Sequence, residues 1–116
     1  MTHGGDMKTA ELIGPALDWA VAKCAGKDND IEVHGGNVLY GRCSSGFVHY
    51  SPSTKWEQGG PIIELAHIAL WSEGYDWEAK QYGQHESWGP TPLIAAMRCF
   101  VASKLGADID IPEELR

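Results

Sequence analysis

The stretch Thr91-Pro92-Leu93-Ile94-Ala95-Ala96-Met97-Arg98-Cys99-Phe100-Val101-Ala102-Ser103-Lys104-Leu105-Gly106 decides the fold. The Thr91 hydroxyl can accept an orphan N–H of a first helical turn. Pro92 at the first helical position lacks only an N–H that would find no partner there. Gly106 is a natural stop. Leu93, Ile94, Met97, Val101 and Leu105 fall on one stripe at helical spacing, and Ala95, Cys99 and Ala102 keep the other side small or apolar. A helix of that composition over 91–105 belongs at the centre of a packed core.

Outward from this helix the signals weaken. Pro15 opens a second helix, over 15–25, which Gly26 ends. Its Ala16, Leu17, Ala20, Val21 and Cys24 share one face, and Asp18 lies in the first turn, where the helix dipole favours a carboxylate without any functional role. Residues 31–33 read as a short strand, and the β-type runs at 38–40 and 47–50, separated by 41–46, suggest a hairpin. Residues 61–71 are ambiguous between helix and strand. The strict alternation over 75–80 favours two antiparallel strands turning at Ser72, Glu73 and Gly74. Residues 51–60 and 83–90 read as loops, 1–8 as a flexible leader with Met7 a plausible second start, and 9–116 as one domain. The order αββββα predicts an α+β fold: a small antiparallel sheet packed by two helices, the C-terminal one central.

The chain has 116 residues, 9 Lys and Arg against 16 Asp and Glu, and a net charge of −7. That length suits one core, and the acidic balance excludes a broad nucleic-acid surface, which needs cations to displace phosphate counterions. The charge is uneven: 1–56 carries −1, 57–90 carries −5, the helix over 91–105 carries +2 and the tail −3. No apolar run reaches the ~18 residues of a membrane span, and the N-terminus lacks a signal-peptide apolar core, so a cytoplasmic protein is expected. Cys24, Cys43 and Cys99 are an odd set without CxxC spacing and read as free thiols. His3, His34, His49, His67 and His85 lack metal-ligand spacing. No metal and no cofactor is expected.

Chemistry concentrates in two loops and one arginine. The first loop holds Ser51, Ser53, Thr54, Lys55, Trp56, Gln58 and the Gly59-Gly60 pair. Hydroxyls and Gly N–H groups can cradle an oxyanion, and an indole can stack on a flat ring. The same residues also suit a rigid loop whose hydroxyls satisfy its own backbone. The GxxxxGK[ST] spacing of a P-loop is absent. In the second loop His85-Glu86-Ser87 invites a triad reading, but three adjacent residues cannot supply that geometry, and capping or turn roles fit better. Arg98 cannot lose its proton, so partial burial calls for a partner. That partner is an internal carboxylate such as Glu64 or Glu86, solvent reached by snorkelling, or the phosphate or carboxylate of a ligand. The expectation is one ligand pocket from Ser51, Ser53, Thr54, Trp56, Gln58, Gly59, Gly60, Trp88, Thr91 and Arg98, with no catalytic residues.

Three segments, ELIGPALDWAVAK at 11–23, SPSTKWEQGGPIIE at 51–64 and HESWGPTPLIAAMRCFVASKLG at 85–106, resemble the NinX-like family of lambdoid tailed phages and prophages. The resemblance covers Asp18 and Trp19. It takes in Ser51, Pro52, Ser53, Thr54, Trp56, Gln58, Gly59, Gly60 and Pro61, then Glu86, Gly89, Pro90, Thr91, Pro92 and Arg98. Lys55 and Glu57 stand outside the motif, and 27–47 and 65–84 do not align with it. The resemblance implies a phage accessory protein made in the bacterial cytoplasm and implies no reaction.

Three functions follow as expectations. The first is a non-enzymatic binder of a small anionic, nucleotide-derived ligand, acting as an anti-defence sponge for a host immune signal. A homo-oligomer would enclose more of that ligand. The second is a protein-binding modulator of host or phage nucleic-acid machinery that uses the acidic surface for docking. The third is a nucleotide hydrolase around His85, Glu86 and Arg98.

Overall fold

The computed structural model describes residues 6–27, 30–43, 46–81 and 86–116. Among them are three α-helices, α1 (Gly14–Cys24), α2 (Trp56–Ala66) and α3 (Pro92–Leu105). The strands are β1 (Asp6–Lys8), β2 (Ile31–His34), β3 (Asn37–Cys43), β4 (Gly46–His49), β5 (Ile68–Glu73), β6 (Asp76–Gln81), β7 (Glu86–Gly89) and β8 (Asp108–Asp110). They form three small antiparallel sheets, β1-β8, β2-β3-β4 and β5-β6-β7. The fold is α+β with α3 at its centre.

Helix α3 keeps its expected bounds. Thr91 Oγ1 accepts the Ile94 N–H at 3.1 Å, and Gly106 ends the helix at φ 87°. From Leu93 to Val101 every residue except Arg98 is buried. Leu17, Val21, Ala79, Met97, Phe100 and Ile111 join in one apolar cluster. Helix α3 packs against α1, α2 and all three strands of β5-β6-β7. Burial of this kind is the main stabilising term of a small domain.

Several expected elements differ. The single sheet is three sheets, and the two helices are three. Residues 61–66, read as strand, continue α2, so the loop over 51–60 ends at Lys55. Its Gly59, Gly60 and Pro61 all weaken a helix by propensity. Tertiary packing overrides that weakness, because Ile62, Ile63 and Ala66 lie against the core. The left-handed His67 (φ 56°) ends the helix and leads straight into β5. Residues 86–89, read as loop, form β7 with alternating burial, Ser87 and Gly89 inward. In the assigned leader, Asp6–Lys8 pair as β1 with β8, Met7 opposite Ile109.

The hairpins follow turn chemistry. β2 and β3 join through Gly35-Gly36, both at positive φ, as a two-residue turn of primed type demands. β5 and β6 join through Gly74-Tyr75, with Glu73 opposite Asp76. No helix among the described residues is long and apolar enough to cross a membrane.

Candidate functional site

The segment between β4 and α2 is a tight turn. Thr54 and Lys55 both donate backbone N–H groups to the Ser51 carbonyl, at 3.1 and 2.8 Å. Gln58, one turn into α2, ties the segment down: its Oε1 accepts the Ser51 N–H at 2.5 Å and its Nε2 donates to the His49 carbonyl at 3.1 Å. Pro52 and Ser53 are driven inside, Ser53 to 1% exposure. Gly59 makes this possible, because a Cβ there would strike the Pro52 carbonyl oxygen and Leu93 Cδ2.

Ser53 is held by α1. Its backbone N–H donates to Asp18 Oδ1 at 2.8 Å. Asp18 is itself 4% exposed, and burial pushes its carboxyl up to about 6. The Ser53 N–H opposes that rise, and the nearby Ser53 hydroxyl opposes it slightly, although Ser53 Oγ completes no hydrogen bond of good geometry. Tyr50 stands close by with a buried hydroxyl that has no partner among the described residues, and burial pushes it up to about 12, the Asp18 charge adding to the rise.

Among the described residues, two clefts adjoin this construction and another lies around Arg98. The first, about 230 Å³, lies at the N-terminus of α3, between Ser53, Thr54 and Trp56 on one side and Thr91, Pro92 and Ile94 on the other. The indole of Trp56 is 55% exposed. The second, about 160 Å³, adjoins it through Thr54 and is lined by Asp18, Asn37, His49, Tyr50 and Ser51. The third, about 260 Å³, holds Arg98 with Trp88, Asp76 and Glu86.

Arg98 has a structural task. Its Nε donates to the Leu12 carbonyl and its Nη1 to the Trp88 carbonyl, both at 2.8 Å. The fork thus joins the segment before α1 to β7, a geometry that suits a planar guanidinium. No carboxylate lies within ion-pair distance of it among the described residues. Burial lowers its pKa, and the charges of Asp76 and Glu11 partly oppose that. Glu64 is exposed on α2, and Glu86 pairs with Lys80 at 3.8 Å, so neither expected carboxylate is its partner.

The expected single pocket is therefore divided. Ser53, Thr54, Trp56 and Thr91 come together at the mouth of α3, and Ser51 lies on the neighbouring cleft. Trp88 and Arg98 line the third cleft. Gln58 and Gly59 serve the turn and the α2 approach, and Gly60 sits inside α2 with its N–H no longer part of a loop. His85 lies outside the described residues. Asp18, Asn37, His49 and Tyr50 were not among the expected site residues. Asp18 carried a signal: Val21 and Ala22, three and four residues on, place it on the buried face of α1.

A family model described as Bacteriophage P22, NinX matches residues 8–104. The chain belongs to this family. The NinX match runs from the end of β1 to the last turn of α3 and includes the lining of all three clefts. No curated protein matches the chain. Membership in the NinX family places the chain among phage proteins and names no reaction. Among the described residues, no group of three His, Cys, Asp or Glu side chains is placed to share a metal ion.

Proposed function

We propose that this NinX chain binds a small anionic, nucleotide-derived ligand at the mouth of α3 and releases it unchanged. The observation that carries this reading is Ser53 Oγ: buried near Asp18, completing no hydrogen bond of good geometry among the described residues, and on a residue that lines a cleft at the positive end of a 14-residue helix. A buried hydroxyl without a partner costs free energy, and an oxyanion seated there would accept its proton. Helix N-termini favour anions, and since Pro92 has no N–H and Thr91 Oγ1 takes the Ile94 N–H, the α3 mouth offers an anion chiefly the positive end of the helix dipole. Trp56, half-exposed on the same cleft, offers a face for a flat ring. In an infected cell such a protein would serve as a sink for a nucleotide signal of the host, and a homo-oligomer would shield the ligand further.

Calorimetry against a panel of nucleotides and cyclic nucleotides tests the proposal. Stoichiometric binding is expected, with the ligand recovered intact after denaturation and the assembly weighed by native mass spectrometry. Absence of heat across the whole panel refutes it, and turnover of the ligand refutes the non-enzymatic part.

One observation favours a second reading, a protein-docking face. Tyr75 is fully exposed and Trp88 half-exposed, close in the fold to Asp76 and Glu86. Capture of a basic host protein that weakens with salt and is lost in Tyr75→Ala supports this reading.

A further inference from the structure

The cleft beside the α3 mouth is built for a different chemistry. Beside Ser51 and Thr54 of the turn, its polar groups include Asp18, Tyr50, Asn37 and His49, brought together by α1, β3 and the end of β4. One Asp18 oxygen takes the Ser53 N–H, and no cation lies within ion-pair distance of the carboxyl among the described residues. The Tyr50 hydroxyl, on a residue 6% exposed, has no partner among the described residues either. An ionised carboxylate is acceptor-only. Such a cleft is completed by a guest that brings N–H donors, and a second anion would be repelled from it.

Size joins the two clefts. Volumes of about 160 and 230 Å³ each fall below the ~300–1,000 Å³ of a small-molecule site, and together they fall within it. Thr54 lines both. One ligand straddling the turn over 51–54 would place its anion at α3 and its ring beside Asp18.

We infer that the Asp18 cleft receives the donor edge of a guanine-type base, so that the ligand is a guanine nucleotide; this rests on the anion site at α3. Guanine presents two adjacent donors, the ring N1–H and the exocyclic amino group, to one carboxylate. Adenine and cytosine present an amino group beside a ring nitrogen acceptor, which would face the carboxylate lone pairs. Uracil presents one N–H between two carbonyl oxygens. The Tyr50 hydroxyl can donate to the guanine carbonyl oxygen, and Asn37 can serve either role.

The test uses calorimetric titration of the full chain with guanosine, inosine and adenosine monophosphates and with inorganic phosphate. Inosine monophosphate differs from the guanosine compound only in lacking the amino group. The parent is expected to bind guanosine monophosphate about 10-fold or more tightly than the other two nucleotides, since a site built around a donor rejects analogues without it. Asp18→Asn should erase that gap, read as the ratio of guanosine to inosine monophosphate affinity, so that any change at the shared phosphate site cancels. Tyr50→Phe, which keeps the ring, should weaken guanosine monophosphate several-fold. Equal binding of the guanosine and inosine compounds by the parent, or an unaltered gap in a folded Asp18→Asn, overturns the guanine assignment and leaves the anion site standing. Binding of none of the four probes overturns both.

Discussion

Ser53 and Asp18 are joined by a backbone N–H donated to Oδ1 across 2.8 Å, and both residues are buried. This bond seats the turn after β4 on the first half of α1. It links the two halves of the candidate site, since Ser53 lines the α3 mouth and Asp18 the neighbouring cleft. One N–H is a partial answer to a buried carboxylate, which is why its pKa rises instead of falling. The fold keeps an anion where an amide of the same shape would satisfy Ser53.

Asp18→Asn is accordingly expected to stabilise the chain at alkaline pH. The folded-state pKa is about 6, above the unfolded ~3.9, so the folded state binds the proton more tightly. The penalty is present in full above pH 6 and is relieved as pH falls from 6 towards 4. Urea unfolding at pH 8 should show Asp18→Asn more stable by about 1–3 kcal/mol, with the gap closing by pH 4. Equal stabilities at pH 8 would show that Asp18 is solvated or compensated.

Arg98 should behave as a strut. Arg98→Ala leaves the Leu12 and Trp88 carbonyls without their donor and should cost about 2–3 kcal/mol. Arg98→Lys can replace one of the two bonds and should cost about 1–2 kcal/mol. Ligand affinity at the α3 mouth should stay within about twofold for the lysine variant, since Arg98 lines a different cleft. A large loss of affinity with an unchanged unfolding midpoint would return Arg98 to the ligand site.

How far the sequence was legible depended on whether the deciding contact was local. Helix α3 was readable because Thr91, Pro92 and Gly106 act on their own neighbours and the apolar stripe repeats at helical spacing. Helix α2 was hidden by its own residues: Gly59-Gly60-Pro61 reads as a breaker, yet Gly59 is there to let the helix close on Pro52 and Leu93, 7 residues back and 34 ahead. β7 was hidden because Ser87-Trp88-Gly89-Pro90 has turn composition, and only its pairing with β6 makes it a strand. The partners open to Arg98 in the sequence were a carboxylate, solvent or a ligand anion, because side chains are visible there and the carbonyls of Leu12 and Trp88 are not. At the candidate site, the hydroxyls and Trp56 could be named from composition. Asn37, His49 and Tyr50 could not, since the pairing of β3 and β4 brings them to α1.

The adjacent glycines of α2 should respond with opposite sign. A Cβ on Gly59 meets the Pro52 carbonyl and Leu93 Cδ2, atoms of a buried turn and a packed helix that cannot withdraw cheaply. Gly59→Ala is expected to cost about 1–3 kcal/mol. A Cβ on Gly60 comes only to 4.0 Å from Trp56 Cε3, an ordinary contact, in a helical backbone that alanine prefers. Gly60→Ala should stabilise by about 0.5–1 kcal/mol. Thermal melts of the two variants side by side decide the matter, and destabilisation by both would mean that α2 is held by more than the close approach at Gly59.

Trp56 separates a binding role from a packing role most cleanly. It stands at the first position of α2, more than half exposed, and lines the α3 mouth beside Ser53 and Thr54. An indole that exposed contributes little to the core, so Trp56→Ala should shift stability by no more than about 0.5 kcal/mol. Stacking of a base on an aromatic face is worth about 1–3 kcal/mol, so the same variant should bind guanosine monophosphate about 5- to 150-fold more weakly. Trp56→Phe keeps a ring of smaller area and should fall between the two. Inorganic phosphate has no ring to stack and should bind parent and variants alike. Should Trp56→Ala lose affinity for phosphate and nucleotide in equal measure, the indole would be shaping the anion site and not receiving the base.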